Sequence, residues 1–284
     1  MANIALIKVL RERTQAGMMD CKKALEECND DVDKACDWLR EKGIVKAAKK
    51  ADRIAAEGLT TVKVAGNKAV IVEVNSETDF VAKSDPFIEL VDKVADTLLA
   101  NDFASFEDAK AAVEPLFVEA TVKLGEKLSF RRYEIIKGEN LGSYIHGHGR
   151  ISVAVSLKEP NEELAHGLAM HIAANSPKYL SKETIDPKIV EAERAVQLEA
   201  CKNDEKLKNK PEQALVKIIQ GKVNKVLSEV TLSEQAYLLD GEKTVKQALK
   251  EANNEIISFT RYQVGEGLEK RVDDFAAEVM AQAK

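Results

Sequence analysis

The pentapeptide Ser129-Phe130-Arg131-Arg132-Tyr133, with Gly138-Glu139 behind it, is echoed by Ser258-Phe259-Thr260-Arg261-Tyr262 with Gly265-Glu266-Gly267. Self-similarity of this kind means that one supersecondary unit has been used twice. A fainter echo extends it. The β-branched run Ala69 to Val74 and the helical pattern after it match the run Ile151 to Leu157 and the pattern Glu162 to Ala174. The constraint is therefore an α+β chain with two related halves, each a small antiparallel sheet with helices against it. The helices are expected on one side of the sheets, which leaves the other side available to a partner.

Around these halves the hydrophobic period changes. Ile4, Leu6, Ile7 and Leu10 make a first helical stripe, which Thr14-Gln15-Ala16-Gly17 breaks, and Ala24, Leu25 and Cys28 continue on a second helix. Asn29-Asp30-Asp31 reads as the cap of a third helix that carries Val32, Ala35, Cys36, Trp38 and Leu39 and that Gly43 ends. A core this small gives Trp38 a structural task. Between Ile44 and Gly58, Lys46, Lys49, Lys50 and Arg53 form a basic linker, read as a solvated face. Farther on, Ile189, Val190, Val196 and Leu198, then Leu215, Ile218, Ile219, Val223, Val226 and Leu227, flank Asn209-Lys210-Pro211. That pattern predicts an antiparallel helical hairpin inserted into the second half, turning near Pro211 and serving either association or as a strut. Leu268 to Met280, with Val272, Phe275, Ala276 and Val279, predicts a last amphipathic helix, docked on its own core or on another protein.

One connector stands out chemically. Asn75-Ser76-Glu77-Thr78-Asp79-Phe80-Val81-Ala82-Lys83 joins the buried strand to a helix announced by Asp85-Pro86 and continued by Phe87, Leu90, Val91, Val94 and Leu98. Phe80 sits at this polar joint either as an anchor for a partner's pocket or as a staple folded back onto the core.

Enzymatic chemistry finds little support. The chain has no Walker-type glycine loop, no Gly-x-Ser-x-Gly elbow and no dinucleotide fingerprint after a strand. His146-Gly147-His148, with His166 and His171, is the best metal candidate, since His146 and His148 would share a face of a strand. Gly142, Gly147 and Gly149 mark the same segment as a turn, and His166 and His171 miss the helical spacing of ligand pairs, so neither a metal nor a cofactor is expected. Cys21, Cys28, Cys36 and Cys201 include no Cys-x-x-Cys pair and read as small buried hydrophobes. A net charge of −6 gives no general attraction to nucleic acid. The start lacks a signal or transit pattern and no apolar run reaches membrane-spanning length, so a cytoplasmic protein with no membrane partner is expected.

Longer blocks carry a resemblance. They are Leu10-Arg11-Glu12-Arg13-Thr14-Gln15-Ala16-Gly17-Met18-Met19-Asp20-Cys21-Lys22-Lys23-Ala24-Leu25 and Glu73-Val74-Asn75-Ser76-Glu77-Thr78-Asp79-Phe80-Val81-Ala82. Shorter ones are Lys46-Ala47-Ala48-Lys49-Lys50-Ala51, Gly142-Ser143-Tyr144-Ile145-His146, His171-Ile172-Ala173-Ala174 and Val264-Gly265-Glu266-Gly267-Leu268-Glu269-Lys270. Over essentially its whole length the chain resembles the bacterial translation elongation factor Ts family, the nucleotide-exchange factors of elongation factor Tu. The resemblance implies a ubiquitin-associated-like module over 1–43, a linker over 44–57 and core subdomains over 58–139 and over 140–184 plus 229–264. It also implies a coiled-coil hairpin over 185–228 and a C-terminal helical module over 265–284. The partner implied is elongation factor Tu, GDP-bound and nucleotide-free, and a homo-oligomer through the hairpin stays open. Thr78, Asp79, Phe80 and Val81 would act on the partner's Mg²⁺ and phosphate region, with Asp79 and Phe80 as the lever. His146 would touch the same region, and Arg11, Met18 and Met19 would dock the N-terminal module. Gln15 and Ser152 depart from the family pattern, where glycine is frequent at both positions. The alternative to exchange is a scaffold or chaperone-like adaptor working through its helical module and hairpin.

Overall fold

The structure, a computed structural model, describes residues 3–50, 52–204, 207 and 211–269. The chain begins with three helices, α1 (Ile4–Thr14), α2 (Met18–Glu27) and α3 (Val32–Lys49). The first half follows as β1 (Glu57–Ala65), β2 (Lys68–Ser76), α4 (Asp79–Ala82), α5 (Asp85–Ala100), α6 (Phe106–Leu124) and β3 (Ser129–Lys137). The second half runs β4 (Asn140–His146), β5 (Ile151–Leu157) and α7 (Glu162–Asn175), then α8 (Pro187–Asn203) and α9 (Glu212–Glu229). It closes with β6 (Ala236–Tyr237), β7 (Asp240–Thr244), α10 (Val245–Glu251) and β8 (Ile256–Gln263).

The repeated unit is visible in the strand order. The two three-stranded antiparallel sheets are β1-β2-β3 and β4-β5-β8, beside a small β6-β7 ribbon, so each half is a hairpin whose second strand pairs with the echoed strand. Helices α5 and α6 cover the first sheet through Phe87, Leu90, Val94, Leu98 and Phe117, packed on Val70, Val72 and Val74. Helix α7 covers the second through Leu168 and Ile172 on Val153 and Val155.

The opposite sheet faces are not free, which corrects the expectation of an open side. They pack on each other through Val62, Ala69, Ile71 and Ile136 from the first sheet and Ala154 and Tyr262 from the second. The cause is in β2, where Ala69 to Ser76 is buried without alternation, so both faces must be covered. Small residues on β5 permit the approach, and the hydroxyls of Ser152 and Thr60 share a 2.9 Å hydrogen bond across it.

The echoed strands differ in one respect. Val74 pairs with Phe130 and Glu73 with Arg132, so Arg131 is an extra residue in a β-bulge. Phe130 and Tyr133 therefore share the helix-side face and stack at 5.6 Å, whereas Phe259 and Tyr262, with no bulge between them, point to opposite faces. The bulge also turns both Arg131 and Arg132 toward the fully buried Glu73, at 2.8 and 2.7 Å. Glu73 Oε1 further accepts the N–H of Gly265 at 2.8 Å and the amide of Asn75 at 3.1 Å, and Arg131 donates to the carbonyl of Glu266. Arg132 lies 4.1 Å above the Tyr262 ring, whose phenol burial pushes up to about 12.

Gly43 does not end α3, which continues to Lys49. It marks a close approach, since a Cβ there would lie 2.5 Å from Val122 Cγ2 of α6. Asp31 alone caps α3, accepting from the N–H groups of Asp33 and Lys34 at 3.1 Å. Trp38 packs against the module's core as expected. The cysteines are free thiols, but only Cys21 and Cys201 are buried, and Cys28 and Cys36 are half-buried. Helices α8 and α9 pair around Ile219, Val223, Leu227 and Cys201, and Pro211 precedes α9. Asn209 and Lys210 of the hairpin turn, the side chains of Lys46 and Lys49, and the helix expected beyond Glu269 lie outside the described residues.

Gln15 takes a backbone conformation that favours glycine. It ends α1 in the left-handed conformation (φ 54°, ψ 16°), its N–H bonded to the carbonyl of Arg11 at 2.8 Å. A side chain there is disfavoured and glycine is not, so Gln15→Gly stabilises the protein by about 0.5–1 kcal/mol after its larger unfolded-state entropy is counted. Urea denaturation checks this, and an unchanged or lower midpoint contradicts it.

Candidate functional site

Strand β2 is held on both sides and ends at Ser76, opposite Glu57 of β1. Ser76 donates its hydroxyl to the carbonyl of Thr78 at 2.9 Å, and Thr78 caps one helical turn by accepting from the Val81 N–H at 3.3 Å. The connector is therefore the four-residue helix α4 rather than a loop, a consequence of this cap and of the Asp79–Lys83 pair at 2.6 Å. The hydrogen bond from Lys83, with smaller help from its charge and that of Arg150, holds the Asp79 carboxyl below its usual range.

The turn sorts its two apolar residues. Val81 packs with Leu59 on the core and Ala82 is buried. Phe80 is 83% exposed, which rules out the staple reading, because Val81 fills that place.

His146 is the last residue of β4, exposed, with its Nδ1 3.2 Å from the Tyr144 hydroxyl. The chain then turns through Gly147, His148 and Gly149, all left-handed, and the N–H of Arg150 donates back to the His146 carbonyl at 3.0 Å. This turn docks on β1. Thr60 donates its N–H to the Gly149 carbonyl at 2.7 Å, and Arg150 pairs with Glu57 at 2.7 Å. Since Glu57 faces Ser76, His146 and the Phe80 turn share one rim of the paired sheets. Arg11, Met18 and Met19 are also exposed, the methionines by 59% and 73%, but they belong to the helical module that reaches the core through α3 and α6.

The histidines do not form the strand-face pair considered above, because β4 stops at His146 and His148 lies in the turn. His166 meets the edge of Tyr144 at 5.6 Å. His171 is fully buried, its Nδ1 accepting from the Leu238 N–H at 3.1 Å, which leaves Nε2 to donate to Gln235 at 2.9 Å. Among the described residues no group of three or more His, Cys, Asp or Glu side chains converges as metal ligands. Burial holds the His171 imidazole below its usual 6.5, against a smaller opposing effect of Gln235. As pH falls below about 6.5 the unfolded chain takes up a proton that the native site refuses, so stability drops until the native group titrates too. Wild type is expected to lose stability more steeply than His171→Gln below that pH in denaturant titrations. Parallel curves would contradict it.

Pairings that no local pattern announces also meet this rim. Glu77 pairs with Arg53 at 3.2 Å, and Glu126, on the turn between α6 and β3, reaches Thr78 at 2.6 Å. No spacing rule connects positions so far apart. Gly125, left-handed at the end of α6, signals the turn but not its target.

Fold and rim together define an α+β protein that holds one aromatic side chain out from a rigid frame, and no described helix is long and apolar enough to cross a membrane. A family model described as Elongation factor TS matches residues 77–266. The chain is 50% identical over 288 residues to elongation factor Ts of Acholeplasma laidlawii (strain PG-8A), covering 98% of this chain and 97% of the relative. Elongation factor Ts proteins of Xanthomonas campestris pv. campestris (strain B100) and Xanthomonas axonopodis pv. citri (strain 306) are each 48% identical over 287 residues, with the same coverage. The chain belongs to the elongation factor Ts family.

Proposed function

We propose that this protein is a guanine nucleotide exchange factor for elongation factor Tu, acting by binding and without covalent chemistry. The observation that carries the reading is Phe80, exposed on a capped turn between a doubly buried strand and a long helix. Phe80 enters the partner near its Mg²⁺ and phosphate site, Thr78, Asp79 and Val81 hold the turn, and His146 adds a contact from the same rim. Mg²⁺ demands near-octahedral geometry, so a small displacement of its ligands weakens both metal and phosphate binding. Arg11, Met18 and Met19 supply a separate docking surface, within a module over 1–43. The core subdomains over 58–139 and over 140–184 plus 229–264 form the frame.

The mechanism has a thermodynamic signature. If the factor weakens GDP binding by some ratio, GDP must weaken factor binding by the same ratio. Titrating elongation factor Tu with this protein, with and without saturating GDP, and with GDP in the presence and absence of the protein, is expected to give equal ratios well above one. A ratio of one shows binding without exchange and favours an adaptor.

A further inference from the structure

Helix α4 has four residues, too few to be stable alone, so its direction is set by what holds its root. Besides the Ser76 hydroxyl on the Thr78 carbonyl, that hold comes from a side chain distant in sequence. Glu126 Oε2 accepts the backbone N–H groups of Glu77 at 3.1 Å and Thr78 at 3.0 Å, and Oε1 accepts the Thr78 hydroxyl at 2.6 Å. A hydroxyl has one proton, and giving it to Glu126 leaves a lone pair for the N–H of Val81, so the same bond sets the cap of α4. The grip is reciprocal, since Glu77 Oε1 accepts the N–H of Lys127 at 2.6 Å.

The linker from the N-terminal helices enters the same joint. Arg53 pairs with Glu77, the Lys127 ammonium donates to the Arg53 carbonyl at 2.7 Å, and Lys50 donates to the carbonyl of Gly125. Glu126 is half-buried and both of its oxygens are engaged by the chain itself.

We propose that Glu126 is the positioning residue for Phe80, fixing the turn that aims the ring before a partner arrives, so that the ordering cost does not fall on the nucleotide-release step that follows docking. This inference rests on the exchange reading. The test is GDP release from elongation factor Tu against factor concentration, for wild type, Glu126→Ala, Glu126→Gln, Phe80→Ala and the double alanine variant. Glu126→Ala is expected to lower the saturating release rate about tenfold, while the half-saturating concentration moves by less than about twofold. In the Phe80→Ala background the same change adds less than about twofold, because groups that act as one unit are not additive. Glu126→Gln, whose carbonyl oxygen can still accept both amide N–H groups, recovers most of the rate. Amide hydrogen exchange of Glu77 and Thr78 in the free protein accelerates in Glu126→Ala. Multiplicative losses in the double variant, or unchanged exchange of those amides, overturn the assignment. A wild type that fails to accelerate GDP release overturns the exchange reading instead, a result distinguishable from either.

Discussion

Replacing Phe80 by alanine is expected to leave the protein folded and, on the exchange reading, to slow GDP release from elongation factor Tu by about ten- to hundredfold, the rate equivalent of the ~1.5–3 kcal/mol gained by burying one phenylalanine side chain. Both halves of this expectation come from exposure. At 83% exposed, Phe80 contributes little to its own core, so its loss changes unfolding free energy by no more than about 0.5 kcal/mol. On the proposed reading its apolar area is buried only in the complex, so the whole effect falls on the partner's nucleotide. Parallel measurement of GDP release and of urea unfolding separates the two. A destabilised variant, or a folded one with undiminished exchange, contradicts the role of the ring.

The second large effect is on stability. Glu73→Ala is expected to cost about 3–5 kcal/mol and to lower the melting temperature by roughly 10 °C, because it removes the buried carboxylate on which Arg131 and Arg132 both pair. Glu73 is fully buried, with Arg131 and Arg132 on its two oxygens, and those arginines are mostly shielded from solvent. The same substitution removes the acceptor of the Gly265 N–H and so one of the ties between the turn after β8 and the first sheet. Glu73→Gln keeps the shape and an acceptor but not the charge, and falls between alanine and wild type. Chemical and thermal unfolding followed by circular dichroism check the order, and a loss below about 1 kcal/mol for alanine contradicts it.

Much of the frame is legible in the residues because it depends on local pattern. The β-branched run at Ala69 to Val74, the Asp85-Pro86 helix start and the echoed Ser-Phe and Arg-Tyr pairs each determine an element over fewer than a dozen positions, and the structure has those elements. What escapes is what depends on distant partners. Gly43 looks like a helix stop until Val122 lies against it. The sheets' second faces look available until both halves are seen to carry a central strand buried on both faces, each covering the other. The bulge at Arg131 changes which face Tyr133 occupies, although the aligned strand β8 has no counterpart to it.

The candidate site divides in the same way. Phe80 is conspicuous in the sequence as an aromatic in a polar joint, and the anchor and staple readings are equal until Val81 is found packed on the core and Phe80 exposed. His146 joins the rim only because the turn after β4 docks on Thr60 and Glu57, contacts that span most of the first half. Glu126 has no signature at all, since a lone glutamate after a glycine is ordinary in a surface turn.

The account stands or falls on one rate. Elongation factor Tu loaded with a fluorescent GDP analogue is mixed by stopped flow with excess unlabelled GDP, with and without this protein, and the fluorescence decay is followed. The account predicts that release accelerates with factor concentration toward a plateau. A decay rate independent of this protein, at concentrations where it binds elongation factor Tu and is folded, would contradict it.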